Sequence, residues 1–163
     1  MGRMVRLDAN AGQELPCALA SARRTARLLT QMYDSYLSEH GVESAQYALL
    51  MMVDAAGTKG QAAMGRALGM DKTTLSRNLR VLRAKGWAES VTGKDARRRN
   101  IVLTAKGREL LASARPAWKR AQAELRAGMS EREWTAMWAS LRTMTRAVES
   151  ATEKRSDLKE EKA

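Results

Sequence analysis

Apolar residues recur at intervals of three and four from Leu15 through Leu19, Ala22, Ala26, Leu29 and Tyr33 to Tyr36. That spacing lays one stripe along an α-helix, and Gly41 is expected to end it. Ser44 stands as the N-cap of a second helix carrying Tyr47, Leu50 and Met51, with Gly57 past its end. An alanine-rich stretch from Gln61 to Leu68 then meets Gly69. Asp71 opens the next helix, which sets Leu75, Leu79 and Leu82 on one side and stops at Gly86. Two short helices joined by a tight turn with a glycine predict a helix-turn-helix. Away from its leucines, the second of them displays Lys72, Thr73, Ser76, Arg77, Arg80 and Arg83.

Beyond Gly86 the period changes to two. Trp87, Glu89 and Val91 alternate with smaller residues, and Asn100 to Leu103 supplies a second apolar run. The connection between them holds Lys94, Asp95, Arg97, Arg98 and Arg99. It is too long for a two-residue turn, so the expectation is a long hairpin with a basic tip. Thr104 is placed to cap a helix carrying Leu110, Leu111, Ala114, Trp118, Ala121 and Leu125, within which Pro116 predicts a bend. Ser130 to Glu133 forms a capping box ahead of Trp134, Met137, Trp138, Leu141, Met144 and Val148. The charged tail from Glu153 is expected to fray. Long helices thus flank a small basic unit, and packing between subunits is the economical use for their apolar stripes.

Composition narrows the function. A chain of 163 residues suits one compact domain. Lysine and arginine outnumber acids 29 to 18, a formal charge of +11, and the resulting field suits DNA, RNA or an anionic membrane. No apolar run is long enough to span a bilayer, and the start lacks the apolar core of a secretory signal, so a cytoplasmic protein with no membrane partner is expected. The single cysteine, Cys17, agrees with a reducing compartment. With one histidine, His40, and no carboxylate cluster at ligand spacing, the sequence offers no metal site and implies no cofactor. No nucleophile has a histidine partner beyond His40, which disfavours an enzyme and leaves no catalytic residue to name.

A major groove accepts one helix, whose threonine, serine, lysine and arginine side chains then reach base edges or phosphates. Lys72, Thr73, Thr74, Ser76 and Arg77 lie in the first half of the Asp71 helix, where bases are usually approached. Arg80 and Arg83 are placed for phosphates or acidic neighbours. An ordinary solvated basic helix would look the same. The hairpin tip adds weight, because Lys94, Arg97, Arg98 and Arg99 concentrate like charge that a phosphate backbone would relieve, and a narrow minor groove attracts inserted arginine.

The run from Leu68 through Gly69, Met70, Asp71, Lys72, Thr73, Thr74, Leu75 and Ser76 to Arg77, then Leu82 through Gly86, then Asp95 through Arg97 to Leu103, Thr104 and Gly107, resembles the MarR family of bacterial regulators. The resemblance implies a mainly α fold with a small β-wing, a winged helix-turn-helix with N- and C-terminal dimerisation helices. Residues 1–163 then form a single regulator domain, with a DNA-binding lobe at 44–104 and dimerisation helices at 12–40 and 105–155. It further implies that Thr73, Thr74, Ser76 and Arg77 lie on the recognition helix, that Arg97 enters the minor groove, and that Asp95 orients the wing by pairing with an arginine. A homodimer that binds a pseudo-palindromic double-stranded operator, and usually represses, is the expected assembly. Gln61 departs from the pattern, standing where an apolar residue is common. Gly65 and Gly69 would each weaken the first helix of the motif by about 1 kcal/mol if internal.

What the regulator would sense is open between two readings. Cys17 stands at the start of the first long helix, where the organic-hydroperoxide sensors of the family carry a reactive cysteine. A thiolate there gains from the helix dipole and from Arg23 or Arg24, while a lone cysteine is also commonly a small buried hydrophobe. Ser21 stands where those sensors would have a tyrosine, and Tyr33, Tyr36 and Tyr47 do not reproduce their spacing. The second reading is a small aromatic or phenolic ligand held by Tyr33, Tyr36, Met51 and Met52. The rival to DNA binding as a whole is a winged-helix module that contacts proteins.

Overall fold

The structure, a computed structural model, describes residues 17–56, 61–92 and 99–160. Its helices are α1 (Ala18–Leu37), α2 (Ser44–Ala56), α3 (Gln61–Leu68), α4 (Lys72–Ala84), α5 (Ala105–Ala127) and α6 (Glu131–Glu160), with a 3-10 turn at Ser38–His40. Strands β1 (Ala88–Thr92) and β2 (Arg99–Leu103) pair antiparallel between α4 and α5. This is the mainly helical architecture with one small hairpin that the periodicity predicts. The chain divides into two compact units that meet in sequence between Trp118 and Lys119, inside α5.

The core of the first unit is assembled from short apolar stripes. Tyr47, Leu49, Leu50 and Val53 come from α2, Leu75, Leu79 and Leu82 from α4, Ile101 and Leu103 from β2, and Leu111, Ala114 and Ala117 from α5. Two details depart from the expected pattern. Ser44 is not the N-cap of α2 but its first residue, and its amide donates to the Asp34 carboxylate of α1 at 2.6 Å. A carboxylate from a neighbouring helix therefore does the capping, where it also complements the positive end of the helix dipole. The hairpin is out of phase with the Trp87, Glu89, Val91 alternation. Gly86 turns with φ of 72°, and the Trp87 amide still donates to the Leu82 carbonyl of α4 at 2.9 Å. The strand phase thus begins one residue later, with Ala88 opposite Leu103 and Ser90 opposite Ile101. Glu89 is exposed, whereas Trp87 and Ala88 are both buried.

In the second unit, the capping box forms as its spacing predicts. The Glu133 amide donates to Ser130 Oγ at 3.2 Å and the Ser130 amide to Glu133 Oε2 at 2.8 Å. Arg126 pairs with Glu131 and lies over the Trp134 ring, 5.4 Å from its centre. α5 runs through Pro116 as a single helix. α6 continues to Glu160 rather than fraying from Glu153. No glycine or proline occurs between Thr143 and Glu160, and alanine, glutamate, lysine and arginine are good helix formers.

One backbone contact restricts the fold more than any side chain near it. A Cβ on Gly107 would lie within 2.8 Å of the Trp87 carbonyl carbon and nearer still to its oxygen. Because both partners are main chain, neither can yield by changing rotamer. Gly107→Ala should destabilise the protein by about 1–3 kcal/mol through overpacking. Gly128→Ala is the control, since its Cβ would meet nothing nearer than 3.6 Å and should leave stability unchanged or slightly raised. Thermal melts of the two variants beside the parent check this, and equal melting of all three would show that the Trp87 carbonyl moves freely.

Candidate nucleic-acid interface

The helix-turn-helix is built by the turn between α3 and α4. Gly69 takes φ of 61°, a conformation that favours glycine, and the Met70 amide donates back to the Gly65 carbonyl at 2.8 Å. A Cβ on Gly65 would approach the Met70 carbonyl oxygen to 3.0 Å, so both glycines let the turn close; only Gly65 lies inside α3, and Gly69, just past its end, does not weaken it. Asn78 adds a tie across it, its amide Nδ2 donating to Met70 Sδ at 3.6 Å.

Asp71 is the N-cap of α4. Its Oδ1 accepts from the Thr74 amide at 2.9 Å and its Oδ2 from the Thr74 hydroxyl at 2.6 Å. With Leu75, Leu79 and Leu82 turned into the core, Lys72, Thr73, Thr74, Ser76, Arg77, Arg80 and Arg83 are all exposed. The structure thus brings the sequence-predicted residues of α4 onto one solvent-facing side. Thr74 differs from its neighbours because its only hydroxyl proton is already given to Asp71. That pair was legible as an aspartate three residues ahead of a threonine.

The hairpin ladder ends with Thr92 opposite Arg99. Lys94, Asp95, Arg97 and Arg98 lie outside the described residues, and Arg99 is described only as backbone of β2.

The residues proposed to sense an effector are less concentrated. Cys17 is exposed at the N-cap of α1, where its side chain makes no capping bond. Tyr33 is half-buried, and burial pushes its phenol upward. Tyr36, Met51 and Met52 pack partly buried against the core of the first unit. Sequence reasoning missed Tyr47 as a polar group. It is 1% exposed, its ring centre is 6.3 Å from that of Trp118, and its hydroxyl has no hydrogen-bond partner among the described residues. Burial raises its phenol, and the Arg115 guanidinium pulls the other way. A tyrosine at a core position of a helical stripe reads from sequence as an apolar residue, so nothing signalled this. A shallow cavity between α2 and α4, lined by Glu43, Gln46, Asn78 and Val81 among others, shares no residue with the effector set. Among the described residues no group of three or more histidines, cysteines or acids is placed to hold a metal ion, and no helix is long and apolar enough to cross a membrane.

The α4 cap has a pH signature. The Thr74 hydroxyl and amide hold the Asp71 carboxyl below its ordinary 3.8. A carboxyl lowered in the folded state stabilises that state above the unfolded value, and the contribution is lost as pH falls through the folded one. Asp71→Ala should therefore melt below the parent at neutral pH, and the gap should narrow as the pH is taken under 3.8. Melts of both proteins across that range check it, and a gap independent of pH would mean that the charge of Asp71 contributes nothing.

Comparison with known proteins is consistent with this geometry. A family model described as the MarR family matches residues 40–99. The crystal structure of the M. tuberculosis transcriptional regulator MosR in complex with DNA is 34% identical, covers 83% of this chain and 98% of that one, and superposes with a TM-score of 0.74. The structure of the S. aureus MepR–DNA complex is 26% identical over 82% of this chain and 99% of that one, with a TM-score of 0.72. A Bacillus subtilis protein described as an uncharacterized HTH-type transcriptional regulator, YwoH, is 27% identical over 81 residues, which span 50% of this chain and 59% of that relative's length. With α3 and α4 forming the helix-turn-helix, the β1–β2 hairpin following it, and MosR 34% identical and matched over 98% of its length, the chain belongs to the MarR family of winged helix-turn-helix transcriptional regulators.

Proposed function

We propose that this protein is a homodimeric, sequence-specific DNA-binding regulator that represses by occupying a pseudo-palindromic operator. The observation that carries the reading is the α4 surface. Lys72, Thr73, Ser76, Arg77 and Arg80 share its exposed side, while the three leucines behind them fix the helix in the core. Hydroxyls and guanidinium groups in that order suit base edges near the N-terminal half and phosphates further along. In this reading Thr74 supports the helix start, and Lys94, Asp95, Arg97, Arg98 and Arg99 serve the wing. The DNA-bound states of MosR and MepR support it by family likeness.

Dimerisation is supported by apolar side chains that a single chain leaves uncovered. α1 exposes Leu19 and Leu28, and α6 exposes Trp138, Leu141, Met144 and Val148, the last at 60%. The α6 residues recur at three and four, the spacing of one continuous stripe. A second copy would cover such stripes and set two recognition helices one helical turn of DNA apart.

Arg77→Ala should cost about 1–3 kcal/mol of affinity for a duplex enriched from a random library by the parent protein, with melting temperature nearly unchanged. Titration of that duplex and of a scrambled one, with sedimentation of the intact chain at micromolar concentration, tests both halves of the proposal. Parent protein that enriches no duplex at any salt concentration favours the protein-contact module instead, and a chain that sediments as a monomer removes the two-fold operator.

Release by an effector is the finer part of the proposal. Exposure of the Cys17 thiol favours a redox route, in which the sulfur takes one oxygen from an organic hydroperoxide to become sulfenic acid while the hydroperoxide leaves as the alcohol. Hydroperoxide should then add one oxygen to Cys17 and release the enriched duplex, whereas Cys17→Ser should stay bound. Mass spectrometry beside the titration separates the routes. Oxidation without release, or no oxidation, transfers the role to an aromatic ligand held near Tyr33, Tyr36, Met51 and Met52.

A further inference from the structure

The end of α4, the root of the hairpin and the start of α5 meet at Thr104. Its hydroxyl donates to the Gly86 carbonyl at 2.7 Å and accepts from the Gly107 amide at 3.1 Å. Its own amide donates to the Trp87 carbonyl at 3.1 Å. Gly86 lies just past α4, Trp87 just before β1, and Gly107 in the first turn of α5. One residue, through its hydroxyl and its amide, therefore ties together three elements whose mutual angle a hydrophobic contact alone would leave adjustable. Lys106 reinforces the tie by donating to the Lys85 carbonyl at 3.2 Å, and the Lys85 ammonium sits 4.4 Å from the centre of the Trp87 ring. The close approach of Gly107 to the Trp87 main chain removes the remaining play.

Hydrogen bonds contribute little net free energy compared with the geometry they enforce, since each replaces a bond to water but tolerates a narrow range of distance and angle. That suits a joint whose purpose is alignment. We propose that Thr104 is a positioning residue for DNA binding. By linking the end of the recognition helix to the start of α5, it fixes the angle between α4 and the hairpin, so that helix and wing reach adjacent grooves of one duplex together. The inference rests on the DNA-binding reading and adds to it a residue that need not touch DNA. A threonine that merely capped α5 would affect stability without changing which parts of the duplex are covered.

The test uses the full chain and a duplex of about 30 base pairs, long enough for two half-sites, enriched from a random library by the parent. Thr104→Val keeps the shape and removes the hydroxyl, and Thr104→Ser restores it. Thr104→Asn keeps an oxygen to cap Gly107 on a longer side chain that does not match the Gly86 spacing, which guards against simple unfolding of the valine variant. Binding and hydroxyl-radical footprints are measured near 10 °C, about where domain stability peaks. Thr104→Val and Thr104→Asn should bind roughly tenfold more weakly and lose protection on the flanks of the footprint while keeping it at the centre. Thr104→Ser should match the parent in both. Valine and asparagine variants that keep the parent's footprint, whether at equal affinity or uniformly weakened, overturn the positioning role and leave Thr104 a helix cap. A parent that enriches no duplex overturns the DNA-binding reading itself, and this inference with it.

Discussion

Leu75, Leu79 and Leu82 stand four and three residues apart on α4 and are almost completely buried, and the exposed surface of that helix depends on them. Burial of a leucine side chain stabilises a fold by roughly 1.5–3 kcal/mol, so this stripe holds a helix that has little else apolar to offer. α2 supplies the opposing wall through Leu49, Leu50 and Val53. Because the anchoring residues and the displayed residues lie on opposite sides of the same short helix, the polar side is relieved of any packing duty. Lys72, Thr73, Ser76, Arg77 and Arg80 can be selected for a ligand without penalty to the core. The core behind this helix is likewise divided among many elements, each contributing one to four residues to one cluster.

The start of α4 limits how that ligand is met. A helix N-terminus ordinarily attracts phosphate through its free amides and dipole. Here the Asp71 carboxylate occupies the Thr74 amide and brings its own negative charge. In the DNA-binding reading, phosphate contacts therefore fall to lysine and arginine side chains, and the first turn is left to approach bases. The other end of the helix is fixed differently, by the left-handed Gly86 and the bonds that run from Gly86 and Trp87 to Thr104. One end is set by local capping and the other by a tertiary joint, so the helix is held in both position and rotation.

Much of this was legible in the sequence because the signals are local. The period of the leucines, the glycine turns and the Ser130 to Glu133 spacing each act within a few residues, and the elements they predict are present. What escaped was set by partners distant in sequence. Asp34 caps α2 from ten residues away, a role that no spacing rule within α2 could reveal, so Ser44 took its place in the expectation. The hairpin phase was misread because Trp87 is buried by its position at the end of α4 rather than by strand alternation. Gly107 and Gly65 carry steric demands from Trp87 and Met70 that appear only once the chain folds back on itself. Tyr47 shows the converse limit, since periodicity assigns a residue to the core without saying whether its hydroxyl is satisfied there. The wing arginines and the effector residues were named by type and by resemblance, and Cys17, Tyr33, Tyr36, Met51 and Met52 are not drawn together by any signal as local as those on α4.

Charge shows where function outweighs stability in this chain. Residues 72–84 hold Lys72, Arg77, Arg80 and Arg83 and no acid. Arg77, Arg80 and Arg83 follow one another at three residues, a spacing at which like charges on a helix repel by a few tenths of a kcal/mol per pair. A glutamate four residues from one of them, at Thr73, Ser76 or Ala84, would relieve them at no cost to packing, because those positions are exposed. Its absence means that the helix is less stable alone than its composition allows. A polyanion that binds only the folded state reverses this, since it screens the repulsion and shifts the folding equilibrium by mass action. The same reasoning extends to a formal charge of +11 on 163 residues, which disfavours compactness in isolation and favours fast encounter with a negatively charged partner. A chain arranged only for stability would have distributed its acids among these arginines; this one keeps them off α4 and places Asp71 just before it, where the carboxylate supports the helix start while the face beyond remains positive.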